Sequence, residues 1–277
     1  MKYLFFILIT CLLFSCHQKK DPEMDSQAGY FNAVAKNDIS LPPPAYGDWL
    51  YKHKEKGQNL AAYQATKPVT DKKVIYLLPM GDFTAMQEKV LQETRNYMEI
   101  FFQLKAVLLE PISDSGIASR KFEGHVQLLA PYILDSVLIS RKPKDGLAMM
   151  AISARDLYPQ ADWNYVFGLG SYSRRVGVTS IYRLQDTSFL RRLVNISSHE
   201  IGHMLSMNHC IHAKCVMNGT NGLYETDRTP LRLCSECQQK LYWNLRFDNQ
   251  QRLKELMAYC KDKGFEWDWE VFNKDGQ

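Results

Sequence analysis

Two histidines four residues apart, His199 and His203, with a glutamate directly after the first, constrain this chain more than any other feature. On a helix, positions i and i+4 share one face a turn apart, so the two imidazoles can meet on a single cation. Glu200 can then reach a water activated by that metal and take its proton. Two nitrogens do not complete a site, and His209 is the candidate third ligand. On a continuing helix it would lie about 9 Å further along the axis and off the face of His203. The helix must therefore stop between them and the chain bend back. Three imidazoles leave the fourth tetrahedral corner open, which is the catalytic rather than the structural arrangement of zinc. Histidines buried for packing are the bland alternative, and Glu225 is a rival third ligand that would imply a different class of hydrolase.

The residues after His209 narrow this further. Cys210 follows at once, then Cys215, Met217 and Cys234-Ser235-Glu236-Cys237. His-Glu-x-x-His with another His six residues on is the metzincin zinc signature, and the cysteine order resembles the archaemetzincins, zinc metallopeptidases that pair a catalytic zinc with a second, cysteine-bound zinc. The resemblance is close over residues 199–237, looser from about residue 74, and does not cover the first 60 or so. It implies a metzincin-like α/β (α+β) fold: a mixed, mostly parallel sheet with an antiparallel edge strand, an active-site helix, and a smaller C-terminal helical lobe with the cysteine zinc site. It also implies a peptide or protein substrate, a catalytic zinc on His199, His203 and His209, Glu200 as the base, and Met217 as a floor beneath the imidazoles. Two positions depart from the pattern. Ser206 stands where the helix turns and the family has Gly; a positive φ costs Ser more than Gly, so Asn208 is expected to take the bend. Gly219 stands where some metzincins place an assisting Tyr, and Tyr224 is the available substitute. The alternative these departures leave is a catalytically silent zinc-binding surface lipoprotein.

Cys210, Cys215, Cys234 and Cys237 have the paired spacing of a tetrahedral thiolate zinc site. In an exported chain the same four would also form two disulfides, and the family resemblance favours zinc. His212 reads as a solvated loop residue, and His53 and His125 have no ligand spacing. Cys260 shares an apolar helical stripe with Leu253, Leu256 and Met257, as a buried small hydrophobe would.

At the N-terminus, Met1-Lys2-Tyr3 leads into an apolar run from Leu4 to Phe14. This is the pattern of a secretory signal over residues 1–15, too short to span a bilayer as a mature helix. Leu13-Phe14-Ser15-Cys16 resembles the bacterial lipoprotein box, which implies Cys16 as the lipidated first residue of an exported, membrane-anchored chain; His17 after it favours the outer membrane. Ordinary secretion is the alternative. Residues 16–60 read as a lipidated tether and linker, polar and stiffened by Leu41-Pro42-Pro43-Pro44. Residues 61–277 then form the metallopeptidase domain. A net charge of +4 with both signs mixed makes no case for nucleic acid.

Within that domain, apolar runs alternate with helical periodicity. Strands are expected at Val74–Leu78, Ala106–Leu109, Ala148–Ile152, Asn164–Phe167 and Val176–Leu184, the last pairing as a hairpin across a turn at 168–174. Helices are expected over 84–102, with Met86, Val90, Tyr97 and Phe101 inward, over about 125–140, and from near Asp186-Thr187-Ser188 through the histidines. Phe265, Trp267, Trp269 and Val271 alternate like a strand.

Overall fold

The computed structural model describes residues 21–277, so the signal segment and Cys16 lie outside the described residues. Eight strands occur among them: β1 (Val74–Met80), β2 (Lys105–Leu108), β3 (Ser119–Phe122), β4 (His125–Leu129), β5 (Gly146–Ser153), β6 (Asp156–Tyr158), β7 (Gly168–Gly170) and β8 (Val176–Ser180). Five form one sheet in the order β2-β1-β5-β8-β7, parallel except for β7, which runs antiparallel to β8 at the edge. This is the mixed, mostly parallel sheet with an antiparallel edge that the sequence leads one to expect. All of β5 is buried, as befits a central parallel strand covered on both faces. Its alternate residues serve two cores. Ala148, Met150 and Ile152 pack with the long helix Ala85–Phe102, the helix Phe189–Met204 and the C-terminal helices. Met149 and Ala151 pack with the helical stretch that begins at Ala130. A smaller sheet, β3-β4-β6, flanks the first.

Several expectations are corrected. The stretch 16–60, read as a tether, packs against the domain at several points among its described residues, while residues 42–46 stay exposed and outside any helix or strand. Short helices at Pro22–Ser26 and Ala28–Ala35 bury Phe31 and Val34, and Asp38 binds Arg232 and the backbone and hydroxyl of Ser235. Both buried anchors belong to the second helix and the first has none, too few to show as periodicity. Residues 125–140 are not one helix. His125–Leu129 is a strand, paired with β3 across Glu123 and Gly124, both at positive φ as a tight two-residue hairpin turn requires. Met86 is exposed, the inward face being set by Leu91, Thr94, Tyr97, Met98, Phe101 and Phe102. The edge strand is Gly168–Gly170 rather than Asn164–Phe167, of which only Val166 makes a bridge, to Leu157. The C-terminal aromatics lie on and beside a helix, Glu266–Asp275, that buries Asp268, Val271, Phe272 and Asp275 at helical spacing. Cys260 is buried on its helix, as its stripe implies.

Candidate metal centre and active-site cleft

The helix Phe189–Met204 carries the first two histidines across the sheet. It ends in a Schellman motif: Ser206 N–H donates to the His203 carbonyl (2.8 Å) and Met207 N–H to the Gly202 carbonyl (3.1 Å). Ser206 takes the left-handed conformation there, with φ 69°. The bend is thus made by Ser206 itself, and the expectation that Asn208 would make it is corrected. The Leu205 carbonyl, left over at the helix end, accepts from the buried Tyr63 hydroxyl at 2.9 Å.

This reversal brings His209 back to the other two. Ligand atoms of His199, His203 and His209 all lie within 4.8 Å of one another. The hydrogen bonds settle which nitrogens converge. His199 Nδ1 is 2.9 Å from the Val216 carbonyl, His203 Nδ1 is 2.7 Å from the Met207 carbonyl, and His209 Nδ1 is 2.7 Å from Glu55 Oε1. A carbonyl or carboxylate oxygen only accepts, so each Nδ1 carries the proton and each Nε2 presents a lone pair. The Nε2 atoms of His199 and His203 face each other at 2.9 Å. Two lone pairs at that distance repel unless a cation lies between them. Burial lowers His199 to about 3, with His209 adding to the effect, and lowers His203 as well, so a proton is a poor candidate at neutral pH. A divalent metal that binds imidazole fits the donor set.

Glu200 is buried behind the edge strand, and burial raises its carboxyl to about 8. Two glycines of β7 make the room. A Cβ on Gly168 would stand 2.7 Å from Glu200 Oε1, and one on Gly170 would stand 2.9 Å from the Glu200 carbonyl. Gly202 does the same beneath the histidines, where a Cβ would meet Met217 Sδ at 2.4 Å. Met217 is therefore seated against the helix backbone between the two ligand positions.

The cysteines form a second cluster beside the first. Cys210, Cys215, Cys234 and Cys237 are buried free thiols whose sulfurs lie within 4.8 Å of one another, Cys210 and Cys234 at 3.5 Å. A disulfide needs about 2.05 Å, whereas the edge of a tetrahedron with zinc–sulfur bonds of 2.3 Å is about 3.8 Å. Backbone N–H groups of Met217 and Cys234 point at Cys215 Sγ (3.4 and 3.3 Å), and hydrogen bonds from the other three thiols hold Cys210 far below the ordinary thiol range. Asn218 ties the loop together, donating to the Cys210 and Ala213 carbonyls and accepting from Cys215 N–H.

The cleft in front of the histidines has a volume of about 430 Å³, with Trp49, Trp163, Tyr165, Phe167 and Tyr172 in its walls. Tyr172 stands beside His203, ring centroids 5.1 Å apart. Burial, with Glu200 and Glu55 nearby, pushes its phenol up to about 12. Tyr224, the expected substitute for the missing Tyr, is instead exposed and bound to Arg228. Glu225 is no ligand; its carboxylate accepts from Trp49 N–H and Asn221 N–H. His212 lies on the surface between Asp38 and Glu236, His53 stacks on Trp49, and His125 pairs with Asp156. Trp49, Glu55 and Tyr172 carry no spacing signal, and two of them come from the stretch read as linker.

The model of Peptidase family M54 matches residues 135–242. Archaemetzincin-2 of Mus musculus is 30% identical over 262 residues, covering 78% of this chain and 73% of that protein. The archaemetzincin of Thermococcus kodakarensis is 27% identical over 185 residues, covering 62% of this chain and 97% of its own. Among solved structures, an archaemetzincin from Archaeoglobus fulgidus superposes with a TM-score of 0.51 at 26% identity, over 60% of this chain and 99% of that one. With its sheet order, its histidine-bearing helix and this degree of identity, the chain belongs to the archaemetzincins and is a zinc metallopeptidase.

Proposed function

We propose that the chain cleaves peptide bonds in the cleft before His199, His203 and His209, that these three hold the catalytic zinc, and that Cys210, Cys215, Cys234 and Cys237 hold a second, structural zinc. The observation that carries the reading is the set of three Nδ1–H bonds to oxygen, which turns every Nε2 toward one point. Zinc bound there supplies a Lewis acid that polarises the scissile carbonyl and acidifies water.

The chain's own groups do the rest. Glu200 accepts the proton of the attacking water on its carboxylate and returns it to the leaving amine nitrogen. Its burial favours the protonated form, and a nearby cation opposes that, so the carboxyl can both take and release a proton near neutrality. Tyr172 holds a protonated phenol at the mouth of the cleft, where it can donate to the carbonyl oxygen as charge develops. Strand β7 is the sheet edge alongside Glu200, and its main chain can align an extended peptide. The aromatic walls suit a bulky apolar side chain. Lipid attachment at Cys16, with anchorage of an exported chain to the bacterial outer membrane, also belongs to this reading and is supported by the leader pattern. The packed segment from Asp21 would then set the domain close to the bilayer.

Glu200→Gln tests the mechanism. It is expected to keep its zinc and lose at least about 100-fold in kcat on a peptide library. Turnover equal to the parent would remove Glu200 from the reaction.

A further inference from the structure

Two of the three imidazoles are oriented by backbone carbonyls, those of Val216 and Met207. The third, His209, is oriented by a side chain from far away in sequence, Glu55. We infer that Glu55 is a positioning residue for the third zinc ligand, and that residues 49–58 form a strap that completes the metal site. The inference rests on the zinc reading above.

The strap touches the ligand loop at successive points. Glu55 Oε1 accepts from His209 Nδ1 at 2.7 Å and from Trp49 Nε1 at 2.8 Å, so the carboxylate is itself held in place. The Trp49 ring meets His209 edge-on at 5.0 Å. Gln58 brackets the turn before the ligand, its Nε2 donating to the Ser206 carbonyl (3.0 Å) and its Oε1 accepting from Asn208 N–H (3.1 Å). Glu225 fixes the start of the strap through Trp49 N–H. His209 follows a helix end and has no secondary structure of its own, so its aim depends on these contacts. A carboxylate on Nδ1–H fixes the tautomer and makes Nε2 a stronger donor to a metal.

Zinc-loaded parent, Glu55→Ala, Glu55→Gln and His209→Ala proteins, each as the full chain, are challenged with excess chelator while zinc release is followed by an indicator dye. His209→Ala marks the imidazole-site phase by lacking it. Glu55→Ala is expected to release that ion roughly 10–100-fold faster than the parent. Glu55→Gln, which keeps an acceptor but not the charge, is expected to fall between them and serves if the alanine variant folds poorly. The cysteine-site phase and the melting of the zinc-free protein are expected to stay unchanged, which a merely structural contact would not allow. Release within about twofold of the parent in both Glu55 variants overturns the assignment while the imidazole site stands. A parent that holds no ion sensitive to His209→Ala overturns the zinc reading and the assignment together.

Discussion

His203 and Met207 are joined by a 2.7 Å hydrogen bond from the imidazole Nδ1–H to the backbone carbonyl, across a helix end that closes between them. The same four residues that stop the helix therefore set the tautomer of the second ligand. The closure itself depends on Ser206 holding φ 69°.

Ser206→Gly removes the steric cost of that conformation, about 1–2 kcal/mol, and gives back part of it as extra freedom in the unfolded chain. A net gain of about 0.5–1 kcal/mol is expected, seen as a rise in Tm of about 2 °C. Ser206→Ala keeps the Cβ and is expected to give no such gain. Calorimetry of the three proteins checks the order.

The convergence of the three histidines and of the four cysteines could be read in advance because its geometry is local. A four-residue spacing becomes a shared helix face, and a Cys-x-x-Cys at a helix start becomes half of a thiolate cluster. Glu55 lies 154 positions from His209, and no periodicity links a lone glutamate in a polar stretch to a distant imidazole. Tyr172 was hidden differently: Gly168 and Gly170 look like turn residues, yet they form the edge strand because only glycine leaves room for Glu200. The C-terminal aromatics misled because every second residue is apolar while the buried positions follow a period near 3.6.

Tyr172→Phe is expected to lower kcat by about 100-fold, the usual loss for one donor to a developing oxyanion, while KM changes little. The zinc content should match that of the parent. Steady-state kinetics on one cleaved peptide checks the split between kcat and KM.

Asp156 is fully buried, where it binds Arg183, Gln127 and His125. Burial alone would raise its carboxyl, but these hydrogen bonds and the Arg183 charge outweigh it and hold the group below its ordinary value of 3.8. The unfolded chain then binds the proton more readily, so this stabilisation is present above pH 3.8 and is lost as pH falls through the lower folded value. Asp156→Asn is expected to cost on the order of 2 kcal/mol at neutral pH. The gap between the two proteins should begin to narrow as pH falls below about 3.8 and shrink further through the lower folded value, as read in urea titrations.

Zinc counted per chain tests the central claim most directly. The parent is expected to hold two ions, His203→Ala one, and Cys234→Ser with Cys237→Ser the other one, with all four thiols reactive only after chelation. A parent whose zinc content is the same with or without His203 would contradict the account.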